Sequence, residues 1–316
     1  MVGDYAQTGE GSEEGSQDLQ PKPREPLLHR SLVLQEGVEV LHREIIASSP
    51  LFPIPYPLVV VRLITYNIEY EEGLPGHWYD YLKVWRLVSA PAKVHDQLLA
   101  FLKAQKPDIL ALIEVDRGSL RTHFHDDPLD FEMKLKFSGL VEVLKYPARG
   151  CMRAFHFVPI LREQSNALLS RYKLTDIRQR FLHEGTKRVI IEASVHCPHK
   201  VTLLVAHLAL GAKTRKKQLD ELADIVNTIR NPVMLMGDFN TFHGLHELDH
   251  LRKKTHLKDS YGLHPSCLPY TQPAWKPSRR LDYVLVSPQI TVHDYRVLKT
   301  TLSDHLPVQV DFDVRG

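Results

Sequence analysis

The sequence predicts an α/β domain, and three observations predict it. Short apolar runs of strand length recur along the chain, at residues 58–66, 108–115, 201–208, 233–236 and 281–286. Between them lie two amphipathic stretches with helical spacing, at 94–104 and 218–229. No internal repeat and no second apolar core interrupts this alternation, so residues 58–316 read as one domain.

In chain order, residues 1–26 are rich in Gly, Ser, Glu, Gln and Pro and are expected to form a disordered tail. Residues 27–57 read as an appendage and linker, with near-helical apolar spacing from Leu28 to Ile46 and then four prolines from Pro50 to Pro57. The strand at 58–66 runs into Asn67-Ile68-Glu69. Residues 71–91 carry Trp78, Tyr79, Tyr81 and Trp85 close together, a density that fits packing, a substrate wall or a membrane-interface element. The helix at 94–104 places Val94, Leu98, Leu99, Phe101 and Leu102 inward and stops before Pro107. The strand at 108–115 delivers Glu114. Residues 117–137 are polar, and their His123, His125, Asp126 and Asp127 are ligand types by chemistry, but with nothing in the sequence to fix their geometry they are expected in a solvated loop. Further strands are expected at 154–161, 166–170 and 188–195, and at 308–314, which alternates apolar and polar residues. A short helix is expected near 245–253.

Composition bounds the function. With 43% hydrophobic and 25% charged residues the chain has ample material for a core. A net charge of +2 does not by itself point to nucleic acid. The three cysteines are far apart, which argues against a disulfide framework or a cysteine zinc site and for a reducing, cytoplasmic setting. No apolar stretch approaches the roughly 20 residues of a transmembrane segment, and the polar N-terminus resembles no secretory signal. A monomer is expected.

The residues that carry chemistry stand at strand ends. The run at 233–236 stops at Gly237 and exposes Asp238 and Asn240, a carboxylate and a carboxamide that can hold a water, a metal or a phosphate. Glu114 leaves its strand where a carboxylate could bind a hard cation, or simply face solvent. His207 could donate to a phosphate oxygen, or be a satisfied strand-end histidine. Asp282 heads an apolar strand and needs a partner, which His305 in Ser303-Asp304-His305-Leu306-Pro307 can supply. That pair could equally be a fold-locking contact.

Taken together, Asn67 in Thr65-Tyr66-Asn67-Ile68, Glu114, Asn166 in Asn166-Ala167-Leu168-Leu169-Ser170, His207, Gly237-Asp238-Phe239-Asn240, Asp282 and Ser303-Asp304-His305 form an ordered set. It resembles the endonuclease/exonuclease/phosphatase superfamily from about residue 58 to the C-terminus. The resemblance implies a four-layer α/β sandwich, the deoxyribonuclease I-like fold, in which two packed mixed sheets are flanked by helices. It implies Mg²⁺- or Mn²⁺-dependent hydrolysis of a phosphoester by water. Glu114 would be the principal metal ligand, with Asn67 close by and Asp304 assisting. Asp238 would position or deprotonate the water, and Asn240 would hold it or a phosphate oxygen. His207 and His305 would stabilise phosphoryl charge, and Asp282 would orient His305. Asn166 and Arg188 would contact substrate, and Glu69 stands where several nucleases have an acid.

Two basic clusters, Lys213 to Lys217 and Lys276 to Arg280, fall near the strand ends that carry the set. With Tyr270 and Trp275 they could grip a nucleic-acid backbone and stack a base, or be merely an exposed helix start and a solvated loop. Nucleic acid is therefore the favoured substrate. A lipid or small phosphoester, as in sphingomyelinase-like and inositol-phosphatase-like members, is the alternative. A catalytically silent binding module on the same fold is a third reading, and the intact set of catalytic residues argues against it.

Overall fold

A computed structural model describes residues 59–73, 92–146 and 161–315, all within the compact unit Pro55–Gly316. The expected tail and appendage at 1–57, the aromatic stretch from Leu74 to Pro91 and the expected strand at 154–160 lie outside the described residues.

Among the described residues, twelve strands form two mixed sheets of six. The first contains β1 (Val61–Asn67), β2 (Ile109–Asp116), β3 (Gly139–Leu144), β4 (Gln164–Ser170), β11 (Ile290–Val297) and β12 (Val308–Val314), in the order β11-β12-β1-β2-β4-β3. The second contains β5 (Thr175–Phe181), β6 (Val189–His196), β7 (Lys200–His207), β8 (Val233–Asp238), β9 (Lys258–Asp259) and β10 (Asp282–Val286), in the order β5-β6-β7-β8-β10-β9. Only the β1–β2 and β7–β8 pairs are parallel.

The strands read as continuous apolar runs because both of their faces are covered. Alternate residues serve different layers, as the two-residue strand period requires. Leu203 and Val205 of β7, with Met234 and Met236 of β8, pack between the sheets against Ile109, Ala111 and Ile113 of β2. Leu204, Ala206 and Leu235 face the other way, under Leu219, Leu222 and Val226 of helix α3 (Ala212–Asn227). Helices α1 (Ala92–Gln105) and α2 (Asp127–Leu135) cover the outer face of the first sheet, where Leu98, Leu102 and Phe131 meet Ile64, Leu110 and Leu112. The order helix, sheet, sheet, helix is the expected four-layer sandwich.

Strands β3, β5 and β11 are unanticipated, and two further segments differ from expectation. Helix α3 begins six residues earlier than the apolar spacing suggested, at Ala212, because Lys213 to Lys217 are good helix formers and Arg215 itself turns inward. The stretch at 117–137 is solvent-exposed at His123 and His125 but folded beyond them: Asp126 caps α2 by accepting from Leu129 N–H at 3.1 Å, and Asp127 and Asp130 are buried. Its polar residues fold inward on one another, which a reading keyed to apolar periodicity cannot detect. No helix among the described residues is long and apolar enough to cross a membrane.

Candidate active site

The topology collects the polar strand ends on one edge. Because β7 and β8 are parallel, His207 and Asp238 finish side by side. Because β10 runs antiparallel to β8, its first residue, Asp282, pairs with Asp238. Three reactive side chains thus lie in register across three strands. From the facing sheet, parallel β1 and β2 bring Asn67 and Glu114 to the same edge. Gly237 makes the arrangement possible: its φ is +134°, and a Cβ there would sit 2.0 Å from the carbonyl oxygen of Ala206.

Glu114 occupies a β-bulge, where the β2–β4 register slips between Leu112 and Val115. Its φ of +60° turns the side chain into the cleft. Asn166 Oδ1 accepts the Glu114 backbone N–H at 3.2 Å. Asn166 therefore supports the bulge and does not line the cleft. The Glu114 Oε1 atom lies 3.0 Å from Lys145 Nζ, 3.5 Å from Lys187 Nζ and 3.9 Å from His207 Nδ1. Burial alone would raise the Glu114 pKa, but the Lys145 and Lys187 ammonium groups outweigh it and hold the carboxyl well below its ordinary range.

Asp238 is saturated with donors. Its Oδ1 accepts from Asn240 N–H at 3.0 Å, and its Oδ2 accepts from Asn67 Nδ2 at 3.1 Å and Asn240 Nδ2 at 3.2 Å. Burial opposes ionisation, yet the neighbouring His207, His305 and Lys187 keep this carboxyl below its usual pKa.

The two histidines are electrostatically opposite. His305 Nδ1 lies 2.7 Å from Asp282 Oδ2. Burial would lower its pKa, but Asp282 and Asp304 raise it well above the usual value and keep it protonated. His207 Nε2 is 3.3 Å from Asp238 Oδ2, without the alignment of a hydrogen bond. Burial, with Lys187 and Lys145 nearby, pushes its pKa down to about 4, so its imidazole is neutral.

A cleft of about 150 Å³ opens between these groups, lined by Asn67, Glu69, Glu114, Asp238, Asn240 and Asp304 among others. Burial and the facing Asp304, Glu72 and Glu114 push the Glu69 pKa up to about 10. Burial raises Asp304 as well, with Glu114 adding to it against His305. Carboxylates crowded this way, beside an amide oxygen, are an all-oxygen donor set that fits a hard divalent cation.

The sequence set is brought together with two exceptions. Asn166 acts through the bulge, as above. Arg188 is turned away: its guanidinium stacks over the Phe181 ring at 5.6 Å and donates to Leu182 O at 3.4 Å. Lys187, its neighbour, lines the cleft instead, because consecutive residues of an extended chain face opposite ways. Sequence reading also missed Lys145, which is buried at the end of β3 and bonded to Glu114 and the Tyr70 hydroxyl. A lysine closing an alternating apolar strand was its only signal.

Two members of the basic clusters are spent on the fold, while Lys213, Lys276 and Arg279 are exposed. Arg215 is fully buried, 2.6 Å from Glu247 Oε2, and donates to the carbonyls of Ala209 and Leu210. Arg280 donates to both oxygens of Asp259 at 2.6 Å and stacks on Tyr283. Lys216 and Lys217 pair with Asp220 and Glu184 at the surface. The expectation of a free basic rim is corrected at these positions.

A sequence model of the Endonuclease/Exonuclease/phosphatase family matches residues 64–305, which span every residue of the cleft. The chain belongs to this family. Its members are hydrolases. A UPF0294 protein of Yersinia pseudotuberculosis is 28% identical over 154 residues, 49% of this chain and 50% of that protein. The chain thus spans about half the length of this curated relative. An endonuclease/exonuclease/phosphatase from Beutenbergia cavernae shares the fold with a TM-score of 0.63 at 22% identity, over 81% of this chain and 72% of that one. The mannosyl-6-phosphatase Bt3783 of Bacteroides thetaiotaomicron does so with a TM-score of 0.61 at 16% identity, over 80% and 99%.

Proposed function

We propose that the chain is a divalent-metal-dependent phosphoesterase that cleaves its ester by direct attack of water. The observation carrying this reading is the facing of Glu69, Glu114, Asn67 and Asp304 by Asp238, Asn240 and the His305–Asp282 pair across one cleft. Glu114, Glu69, Asp304 and Asn67 would hold Mg²⁺ or Mn²⁺, which when bound supplies positive charge against the phosphoryl oxygens.

The remaining steps belong to the chain itself. A carboxylate with three donors on it is a weak base, so Asp238 orients the attacking water more than it deprotonates it. Asn240 accepts from that water through its Oδ1 lone pairs, its Nδ2 being engaged with Leu208 O and Asp238 Oδ2. The His305 imidazolium donates from Nε2 to a phosphoryl oxygen as charge builds in the transition state, and Asp282 fixes its orientation. Neutral His207 adds a second donor. Lys187 takes the place expected for Arg188 as the phosphate-facing cation.

The substrate that fits best is a compact phosphoester with an apolar group. The cleft itself is about 150 Å³, and a cavity of about 820 Å³ lies beside it, lined by Leu268, Tyr270, Trp275, Val297 and Leu306. The two are neighbours in space, since Ala274 N–H, on the cavity, donates to Asp304 O, on the cleft, at 2.7 Å. Burial of Arg215 and Arg280 takes two cations away from a nucleic-acid backbone along the rim, while Lys213, Lys276 and Arg279 stay exposed. The similar fold of a mannosyl-6-phosphatase agrees with a small ester. The test is a matched panel of nucleic acids, lipid phosphodiesters and small phosphomonoesters, each with Mg²⁺ or Mn²⁺. Turnover of small or apolar esters is expected, and cleavage confined to nucleic acid would overturn the substrate assignment.

A further inference from the structure

A second cluster of ligand-type side chains lies under the first sheet, apart from the catalytic cleft. It joins helix α1, the turn Glu69–Glu71 and the start of α2. His95, His125 and Asp127 each offer a ligand atom, and these atoms all fall within 4.8 Å of one another. His95 Nδ1 is 2.9 Å from Glu71 Oε1 and 3.5 Å from Asp127 Oδ1. His125 Nδ1 is 3.0 Å from the same Asp127 oxygen. Ligands placed about 2.0–2.1 Å from a tetrahedral ion stand about 3.3 Å apart, and these three separations bracket that value, with Glu71 closing on the group from the His95 side.

Three further observations point to a ligand here. Asp127 is buried, and its Oδ2 has no hydrogen-bond partner. His95 Nε2 lies 2.7 Å from Asp130 Oδ2, so a proton on that nitrogen leaves the Nδ1 lone pair facing Glu71 and Asp127. A histidine whose far nitrogen is held by a carboxylate is the usual outer support of a metal-bound imidazole. The ring is fixed in that pose by stacking on Phe131, with centroids 5.1 Å apart. Charge points the same way. Glu71, Asp127 and Asp130 surround one buried imidazole, and Lys134 reaches only Asp130, from the solvent side. The His125 side chain is half-exposed and gives an ion a way in.

We propose that His95, His125, Asp127 and Glu71 form a second metal site, selective for a zinc-type divalent cation by its two imidazoles. Its place in the fold gives it a task. Glu69, Tyr70 and Glu71 have φ of +48°, +51° and +61°, a left-handed turn with no glycine in it. Glu69 at one end of that turn lines the catalytic cleft, and Glu71 at the other is a ligand of this site. A bound ion ties the turn to α1 and α2 and so holds Glu69 in position. The site is independent of the substrate reading.

The test uses metal-stripped full-length protein titrated with Co²⁺ in excess Mg²⁺, followed by visible absorption and by direct metal analysis. One equivalent with the intense bands of tetrahedral Co²⁺ is expected, displaced stoichiometrically by Zn²⁺. Because His125 is half-exposed, His125→Ala should fold normally and bind Co²⁺ at least about 100-fold more weakly. Glu114→Gln, which alters only the catalytic cleft, should retain the equivalent. Unchanged affinity in His125→Ala, or loss of the equivalent in Glu114→Gln, would overturn the site. So would wild-type protein that takes up no Co²⁺.

Discussion

Gly237→Ala tests how the site is built. The added Cβ would lie 2.0 Å from Ala206 O and 3.0 Å from Ile113 Cδ1, and the backbone φ is +134°. Ile113 Cδ1 is a side-chain end that can give, but the nearer obstacle is a backbone carbonyl that cannot swing aside, so β8 must move away from β7. A strained backbone costs about 1–3 kcal/mol and overpacking another 1–3, giving roughly 2–6 kcal/mol in total. At about 2–4 °C per kcal/mol for a domain of this size, Tm should fall by roughly 5–20 °C. The same movement separates Asp238 from His207, and a displacement near 1 Å can cost about 10²-fold in turnover. Gly262→Ala is the control, because a Cβ there meets nothing within 4 Å. Thermal unfolding and initial rates on any ester the protein turns over would measure both effects. A Gly237→Ala protein with unchanged Tm and unchanged rate would refute the reasoning.

Arg280→Met leaves the buried Asp259 carboxylate without its partner and Arg215→Met the partly buried Glu247, and both should destabilise the fold in denaturant unfolding, the former by about 3–5 kcal/mol and the latter by less. A loss of nucleic-acid affinity at unchanged stability would contradict that reading. Lys187→Ala should lower kcat/KM by about 10-fold or more, the loss of a charge-assisted contact of about 1.5–3 kcal/mol, while Arg188→Ala should stay within a few-fold of wild type in steady-state assays. Chelation should abolish turnover, with Mg²⁺ or Mn²⁺ restoring it, and chelator-resistant activity would contradict the assigned metal ligands.

The sheets were legible because strands buried on both faces are nearly continuous apolar runs, as in β8 and β10. The active-site set was legible because its residues sit where such runs end. What escaped was decided by direction and by burial. Arg188 and Lys187 differ by one position, and sequence does not say which of two consecutive residues faces the cleft. Arg215 and Arg280 looked like surface charge because their partners, Glu247 and Asp259, are distant in sequence. The His95 cluster was hidden for the same reason, since Glu71, His95 and Asp127 meet only through the packing of α1 on the first sheet. Tyr70, Lys145 and Asn166 support Glu114 from three separate segments and carry no motif of their own.

The most direct measurement is hydrolysis by wild type and Asp238→Ala of a panel spanning nucleic acid, lipid and small phosphoesters, with and without Mg²⁺ or Mn²⁺. Asp238 combines the water-orienting role with contacts to Asn67 and Asn240, so every part of the proposed mechanism meets at this residue. The expected result is metal-dependent turnover of at least one ester by wild type and its loss by about 10³-fold or more in the folded variant. Equal turnover by the two proteins would contradict the account.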